Sequence, residues 1–280
     1  MQVVTTIAEL RAQLAPLRQS GRTIGFVPTM GYLHRGHEAL VRAARQECDV
    51  VVVSIFVNPL QFGPTEDFES YPRDSEHDRA ILSAARADFL FQPAVEEIYP
   101  RPLVTEVAVP ELSHSLEGRT RPTHFKGVAT VVLKLLHIVW PDRAYFGQKD
   151  GQQVAVVRRL LSDLDLPIEL RVVPTVREDD GLALSSRNVY LSPDERQVAP
   201  LLHKVLVRGR EAAQAGSDGP TVQAAMEALL RQEPLVRLDY AAVVDPDSMQ
   251  PKHELTGRVM LAIAAYVGKT RLIDNLVLDL

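Results

Sequence analysis

Two histidines near the start of the chain are the first residues whose types and spacing suggest chemistry. In FVPTMGYLHRGHEAL, residues 26–40, His34 and His37 bracket Arg35 and Gly36 where an apolar run gives way to a helical pattern. The first N–H groups of a helix attract polyphosphate, and a glycine lets a ligand approach the backbone closely. Imidazole donates hydrogen bonds to phosphate oxygens whether it is neutral or cationic. This stretch predicts a polyphosphate site, with two solvated histidines in a turn as the alternative.

Polar side chains also follow the most apolar run of the chain, residues 50–57. Asn58 and Gln61 come directly after it, in a loop where a parallel sheet would place substrate-binding groups. Gln61 carries two N–H donors and an acceptor, so it suits a hydroxyl and a carboxylate together. Simple solvation of the loop is the alternative explanation for Gln61.

Two further stretches add positive charge at similar junctions. AYFGQKDGQQ, residues 144–153, repeats the order strand, glycine, helix; it places Lys149 as a point charge for phosphate, with Gln153 one turn further. In the polar loop 185–188, Arg187 and two serine hydroxyls are suited to close over a triphosphate. Another basic group consists of Arg121, His124 and Lys126. These residues could bind a substrate or could simply form the solvated start of a helix.

The elements that must position these residues follow from the hydrophobic spacing. Short β-branched runs alternate with amphipathic stretches over residues 1–175, which predicts right-handed crossovers and a doubly wound parallel α/β sheet of the Rossmann-like type. The predicted strands are 23–28, 50–57, 88–93, 143–147 and 168–175. The predicted helices are 5–21, 37–48, 74–87, 124–139 and 150–164.

The pattern changes after residue 175 and predicts a second, smaller α+β domain over 176–280. A helix is expected over 192–214, with a capping box between Ser192 and Glu195, and a second helix follows a short linker. Consecutive strand patterns at 238–245, 258–267 and 270–278 favour antiparallel pairing. We expect this domain to close over an active site on the first, 1–175.

Composition argues against several classes of function. The net charge of −5 argues against a nucleic acid held through its backbone phosphates. The single cysteine, Cys48, excludes an intramolecular disulfide and a multi-cysteine zinc site. The apolar runs are shorter than the roughly 18 residues of a membrane helix, and the first residues lack the order of a secretory signal. The cytoplasm is therefore the expected location.

Five stretches, in order, resemble the pantothenate synthetase family, the pantoate–β-alanine ligases: PTMGYLHRGH, FVNPLQFGPTEDFESYPR, RPTHFKGVATVV, FGQKDGQQ and DGLALSSRN. His-x-Gly-His alone marks a wider group of nucleotidyltransferases with HUP-type α/β folds. This sequence departs from the family pattern with Leu184 for methionine, Gln148 for glutamate and Gly151 for an aromatic residue. None of these changes removes a polar group that the chemistry requires.

The resemblance implies an ATP-dependent condensation of (R)-pantoate with β-alanine through a pantoyl adenylate. It implies that His37 is catalytic with His34 as its partner, and that Lys149 and Arg187 complete the catalytic set. A carboxylate attacking a phosphate must overcome repulsion between anions, so cations at the site fit this reaction. The implied ATP ligands are Met30, Gly31, Tyr32, Leu33, His34, Arg35, Gly36, His37, Gly147, Gln148, Lys149, Asp150, Val176, Leu184, Ser185, Ser186 and Arg187.

The resemblance also implies the remaining ligands and partners. Gln61 and Gln153 would hold pantoate, and Gln61 would also meet β-alanine. Mg²⁺ would bind mainly through the ATP phosphates rather than at a protein metal site, with Asp78 as one candidate contact. A homodimer without nucleic-acid or membrane partners is expected.

Two other functions stay open at this point. A nucleotidyltransferase that joins AMP to a phosphorylated cofactor precursor would share His-x-Gly-His, and a nucleotide sensor would bind ATP without turnover. Neither accounts for Gln61 and Gln153, which suit a small hydroxy acid. Product analysis distinguishes the three functions.

Overall fold

A computed structural model describes residues 1–64 and 66–280; Thr65, within the second family motif, lies outside them. The chain forms two compact units. The first unit comprises Met1–Ser113, Arg121–Gly147 and Val156–Val173, and the second comprises His114–Thr120, Gln148–Ala155 and Pro174–Leu280. The sequence-based domains, 1–175 and 176–280, stay a prediction.

The first unit is built on a six-stranded parallel sheet, which confirms the predicted fold class. Its strands are β1 (Gln2–Val4), β2 (Ile24–Thr29), β3 (Val50–Ile55), β4 (Phe89–Phe91), β5 (Arg143–Gly147) and β6 (Glu169–Val173). Their order across the sheet is β1-β4-β3-β2-β5-β6. The direction of winding reverses between β2 and β5, and open sheets bind ligands beyond the carboxyl ends of strands at such a point.

The helices of the described residues have the bounds that follow. They are α1 (Ile7–Gln19), α2 (Arg35–Glu47), α3 (Ser75–Ala84), α4 (Val95–Ile98), α5 (Pro110–Ser113), α6 (Glu117–Thr120), α7 (His124–Val139), α8 (Gly151–Asp163), α9 (Pro193–Val198), α10 (Leu201–Gln214) and α11 (Gly219–Leu230). Thr6 caps α1 by accepting a hydrogen bond from the N–H of Glu9 at 3.2 Å, as its spacing predicts. None of these helices is both long and apolar enough to cross a membrane.

A buried layer joins α2 to the sheet of the first unit. Every residue of β3 is buried, as its uninterrupted apolar pattern predicts for a strand covered on both faces. Leu40, Val41 and Ala44 form the buried side of α2 and belong to the same core as Val51 and Val53 of β3. This packing fixes where α2 begins, beyond the carboxyl end of β2.

The second unit contains the predicted antiparallel sheet, in the order β7-β8-β9. Its strands are β7 (Val236–Val244), β8 (Arg258–Val267) and β9 (Thr270–Asp279). The capping box between Ser192 and Glu195 is confirmed. The prediction of one helix over 192–214 is wrong, because α9 and α10 are separate. Pro200 has no N–H to continue the α9 ladder, which explains the break.

Candidate active site

The two histidines of the first motif cap a helix. His34 is the N-cap of α2, which begins at Arg35 rather than at the predicted His37. Nδ1 of His34 accepts a hydrogen bond from the N–H of Gly36 at 3.1 Å, and Nδ1 of His37 accepts one from the N–H of His34 at 3.3 Å. Histidine is not a preferred capping residue, so the apolar spacing alone placed the helix start too late.

This capping geometry favours one tautomer of both imidazoles. A ring nitrogen that accepts a hydrogen bond carries no proton, so each neutral ring holds its proton on Nε2. The two ring centroids lie 4.1 Å apart with the planes at 41°. Two imidazolium ions at this separation would repel each other. These contacts favour the neutral form of His34 and His37, with the proton on Nε2, which is one of the two forms that the sequence allows.

A buried carboxylate holds the turn before this cap. Gly31 and Tyr32 have φ values of 87° and 51°, so the backbone turns through the left-handed region. Asp78 of α3, only 2% exposed, accepts hydrogen bonds from the N–H of Tyr32 at 3.0 Å and of Leu33 at 2.6 Å. Burial raises the pKa of Asp78, against the opposing effect of these two hydrogen bonds. Asp78 thus shapes the turn predicted to contact ATP.

Asn58 and Gln61, after β3, are buried rather than solvated, which removes the alternative explanation for this loop. Nδ2 of Asn58 donates to Oε1 of Gln61 at 3.2 Å. Nε2 of Gln61 lies 2.9 Å from the sulfur of Met30, in the first motif. The acceptor of the Gln61 amide is therefore used within the protein, and its N–H groups face a residue of the predicted ATP site.

The start of α7 packs directly on the short turn that carries Gln61. A Cβ added to Gly127 would lie 2.3 Å from the carbonyl oxygen of Leu60 and 2.6 Å from Cα of Gln61. The carbonyl of Gln61 accepts hydrogen bonds from Nδ1 of His124 at 3.0 Å and from Nη2 of Arg121 at 3.4 Å. Only glycine at position 127 permits this approach, and the two basic residues hold the backbone in place.

Arg121 also anchors the rest of the loop. Its guanidinium forms two hydrogen bonds of 2.7 Å with the carboxylate of Glu66. Burial would raise the pKa of Glu66, but the hydrogen bonds and charge of Arg121 outweigh it and hold the pKa below its usual value. For Arg121 and His124, whose task the sequence left open, these contacts favour support of the loop.

In the second unit, the turn 148–150 is attached to β9. Nδ2 of Asn275 donates to the carbonyls of Gln148 at 2.8 Å and Lys149 at 2.9 Å, and Nε2 of Gln148 donates back to Oδ1 of Asn275 at 2.9 Å. Nζ of Lys149 lies 3.7 Å from the carboxylate of Asp150. The three exchanged hydrogen bonds fix the backbone that carries the Lys149 cation. Gln153 lies in the first turn of α8 and is partly exposed.

The loop predicted to hold the triphosphate is shaped by a short hairpin. The N–H of Leu184 donates to the carbonyl of Val176 at 3.0 Å. Arg177 donates to both carboxylate oxygens of Asp274, at 2.6 and 2.9 Å, and to the carbonyl of Gly181 at 3.0 Å. Gly181 has a φ of 94°, so the expected turn needs its glycine.

Beyond this hairpin a 3-10 turn carries the predicted phosphate ligands. The hydroxyl of Ser185 caps the turn by accepting a hydrogen bond from the N–H of Arg187 at 3.3 Å. Ser186 is buried at 7% exposure, whereas Arg187 is partly exposed.

The family model for pantoate-beta-alanine ligase matches residues 2–277. The chain belongs to this family. A pantothenate synthetase of Moorella thermoacetica is 54% identical over 280 residues, covering 100% of this chain and 99% of that protein. The pantothenate synthetase structure from Thermus thermophilus superposes with a TM-score of 0.94 at 52% identity, covering 99% of each chain. The pantoate–β-alanine ligase from Francisella tularensis, complexed with beta-gamma ATP and β-alanine, has a TM-score of 0.81 at 36% identity, covering 99% of this chain and 97% of that chain.

In this family member, the predicted ligands are divided between the two compact units. The stretch 30–37, Gln61 and Gly147 belong to the first unit, while the predicted ligands from Gln148 onward belong to the second. Within the first unit, 30–37, Gln61 and Gly147 lie at or just beyond the carboxyl ends of β2, β3 and β5, which are neighbours in the sheet. The structure thus brings these residues to one edge, as the fold class predicts.

A buried ion-pair network in the second unit was not predicted. Glu117 is bonded to Arg271 through both oxygens, each at 2.7 Å, and accepts a hydrogen bond from the hydroxyl of Tyr240 at 2.9 Å. Arg271 also contacts Asp239 at 2.7 Å. The N–H of Glu117 donates at 3.0 Å to Gln152, the neighbour of the predicted pantoate ligand Gln153. Isolated charges within α6 and the strands gave no pattern that could reveal this pairing.

The described residues, 1–64 and 66–280, hold no group of three or more histidine, cysteine, aspartate or glutamate side chains arranged to bind a metal ion. Asp78, which the sequence suggested as a contact for Mg²⁺, already accepts two backbone hydrogen bonds. An all-protein Mg²⁺ cage therefore does not fit these residues, whereas an ion carried by a polyphosphate needs no such cage.

Proposed function

We propose that the chain condenses pantoate with β-alanine at the expense of ATP, through a bound pantoyl adenylate. A carboxylate oxygen of pantoate attacks the α-phosphorus of ATP, a new O–P bond forms, and pyrophosphate leaves. The neutral amine of β-alanine then attacks the acyl carbon, and the C–O bond to AMP breaks. AMP and pantothenate are the products, and the attacking oxygen of pantoate leaves with AMP.

The observation that carries this proposal is the pair of imidazoles held by the α2 cap, in a family whose members are pantoate–β-alanine ligases. Each neutral ring carries an Nε2–H donor at the N-terminus of α2, where the helix dipole favours negative charge. Fixed donors of this kind stabilise charge as it develops on a phosphate, without reorganisation. We assign His37 the direct catalytic contact and His34 the support of its ring.

The proposed reaction also needs positive charge near the phosphates. Lys149 and Arg187 are the proposed cations for the phosphates, and the hydrogen bonds of Asn275 and Ser185 hold their backbones. With nucleophile and leaving group both supplied by substrates, the protein needs to orient and stabilise rather than form a covalent bond. Gln61 and Gln153 are the proposed pantoate ligands.

Mg²⁺ is proposed to arrive with ATP, bound mainly through phosphate oxygens and water. When bound it would neutralise phosphate charge and favour departure of pyrophosphate. Asp78 is proposed to act on the 31–33 turn and not on the ion. We further infer a cytoplasmic homodimer from the family resemblance, and sedimentation equilibrium would distinguish a dimer of about twice 31.1 kDa from a monomer.

The experiment that tests this function is a three-substrate assay with product identification. With pantoate, β-alanine, ATP and Mg²⁺, we expect pantothenate and AMP in equal amounts, each dependent on all three substrates. A parallel assay supplies a phosphorylated cofactor precursor in place of pantoate and β-alanine, and its attachment to AMP would instead support the wider nucleotidyltransferase function. If the protein bound ATP but formed neither AMP nor the AMP-linked precursor above background, both enzymatic functions would be excluded and a nucleotide sensor would be the remaining function.

A further inference from the structure

Asn58 is buried to 1% exposure and makes four hydrogen bonds within the first unit. Its Oδ1 accepts from the hydroxyl of Tyr99 at 2.8 Å and from the N–H of Leu60 at 3.3 Å. Its Nδ2 donates to the carbonyl of Gly127 at 3.1 Å and to Oε1 of Gln61 at 3.2 Å. The amide of Asn58 is thus fully satisfied without solvent.

Two of these partners fix which way the Asn58 amide faces. A backbone N–H can only donate and a backbone carbonyl can only accept, so Leu60 requires the oxygen on one side and Gly127 requires the NH₂ on the other. The hydroxyl of Tyr99 donates to the same oxygen over the shorter distance, 2.8 Å against 3.3 Å. Burial raises the pKa of Tyr99, so the hydroxyl keeps the proton that it donates.

The orientation of Asn58 determines that of Gln61. Because Asn58 presents NH₂ to Gln61, the Gln61 amide must turn its oxygen inward and its own NH₂ outward. That NH₂ lies against the thioether of Met30, which is a weak acceptor. An oxygen ligand would provide a much better acceptor for it than sulfur does.

We propose that Tyr99 is a positioning residue for pantoate: its hydroxyl holds the buried Asn58 amide in place, and Asn58 in turn holds Gln61 with its NH₂ towards the substrate. The proposal rests on the function above, in which Gln61 contacts pantoate. It goes further because it names a residue outside the predicted site, Tyr99, on which that contact depends, and because it assigns the Gln61 NH₂ to a carboxylate or hydroxyl oxygen of pantoate.

The test removes only the hydroxyl, in Tyr99→Phe. The ring keeps its tilted contact with Phe56 at 6.0 Å and its place under the ammonium group of Lys134 at 5.3 Å, so packing is preserved. We expect KM for pantoate to rise about fivefold, the loss of roughly one net hydrogen bond, while KM for ATP stays unchanged. Tyr145→Phe is the matched control, because it removes a buried hydroxyl bonded to Glu47, and it should leave KM for pantoate unchanged.

A double-mutant cycle shows whether Tyr99 acts through Gln61. Tyr99→Phe should have no further effect on KM for pantoate in a Gln61→Ala background, where no Gln61 amide remains to be held in place. An equal effect in both backgrounds would overturn the proposal, as would an unchanged KM in Tyr99→Phe alone. If Gln61→Ala itself left KM for pantoate unchanged, the proposed contact between Gln61 and pantoate would be wrong, and with it the proposed function of this site. Circular dichroism and thermal melting of each variant establish that it is folded.

Discussion

Replacing Gly127 by alanine should damage catalysis, although alanine normally stabilises a helix interior by about 1 kcal/mol relative to glycine. Gly127 lies in the first turn of α7, where an added Cβ would sit 2.3 Å from the carbonyl oxygen of Leu60 and 2.6 Å from Cα of Gln61. Both atoms belong to the backbone, which cannot rotate away as a side chain would. Ordinary van der Waals contact therefore requires the turn that carries Gln61 to withdraw by about 1 Å.

The expected cost follows from that displacement. Withdrawal weakens the 3.1 Å hydrogen bond between Asn58 and the Gly127 carbonyl and carries Gln61 with it. A misplacement of about 1 Å in a substrate-positioning group reduces rate by about 100-fold, equivalent to about 2.7 kcal/mol of transition-state stabilisation. Overpacking should also lower the free energy of unfolding by about 1–3 kcal/mol.

Steady-state kinetics with pantoate as the varied substrate measures this effect as kcat/KM. Gly63→Ala is the matched control, because a Cβ at Gly63 meets its nearest neighbour, Glu66, at an ordinary 3.8 Å. We expect the control to stay within about twofold of the wild type. If Gly127→Ala were as active as Gly63→Ala, the packing of α7 on Gln61 would not position the substrate, and this reasoning would be refuted.

Three further predictions concern charged residues. Asp78→Asn should weaken ATP binding about tenfold by calorimetry, because an amide cannot accept from both N–H groups of the 31–33 turn. Lys149→Ala should lower the single-turnover rate of adenylate formation at least tenfold, about 1.4 kcal/mol of barrier, with the fold intact. Arg121 holds the pKa of Glu66 below its usual value of 4.5. The ion pair should therefore contribute its full stabilisation above about pH 4.5 and lose it as the pH falls through the lowered pKa.

Each of these predictions has a contradicting outcome. Unchanged ATP affinity in Asp78→Asn would show that the turn keeps its shape without the carboxylate. A normal single-turnover rate in Lys149→Ala would remove its proposed role. For the ion pair, the difference in melting temperature between wild type and Glu66→Gln should shrink on acidification from about pH 6 to about pH 3; a constant difference would contradict the proposed linkage.

The sequence predicted the parts of the fold that depend on local spacing. The buried strand β3 and the Ser192 capping box appear where their patterns place them. The start of α2 was missed because histidine acts there as the capping residue, a use that propensities do not anticipate. The break at Pro200 was missed because the apolar spacing continues through it.

The candidate site was predictable as a set of residues but not as a set of interactions. Asn275 contacts Gln148, 127 residues away, and Tyr99 contacts Asn58, 41 residues away. Such pairs depend on how the sheet brings distant loops together, and nothing in the spacing along the chain encodes them. The same holds for the capping hydrogen bonds of His34 and His37, which the sequence pattern does not reveal.

The most direct test of the proposed reaction follows the fate of one oxygen atom. Pantoate labelled with ¹⁸O in its carboxylate is incubated with ATP, β-alanine and Mg²⁺, and the products are analysed by mass spectrometry. The adenylate route predicts one ¹⁸O in the phosphate of AMP, with pyrophosphate unlabelled. Label in inorganic phosphate, or AMP without label, would contradict attack by the pantoate carboxylate on the α-phosphorus.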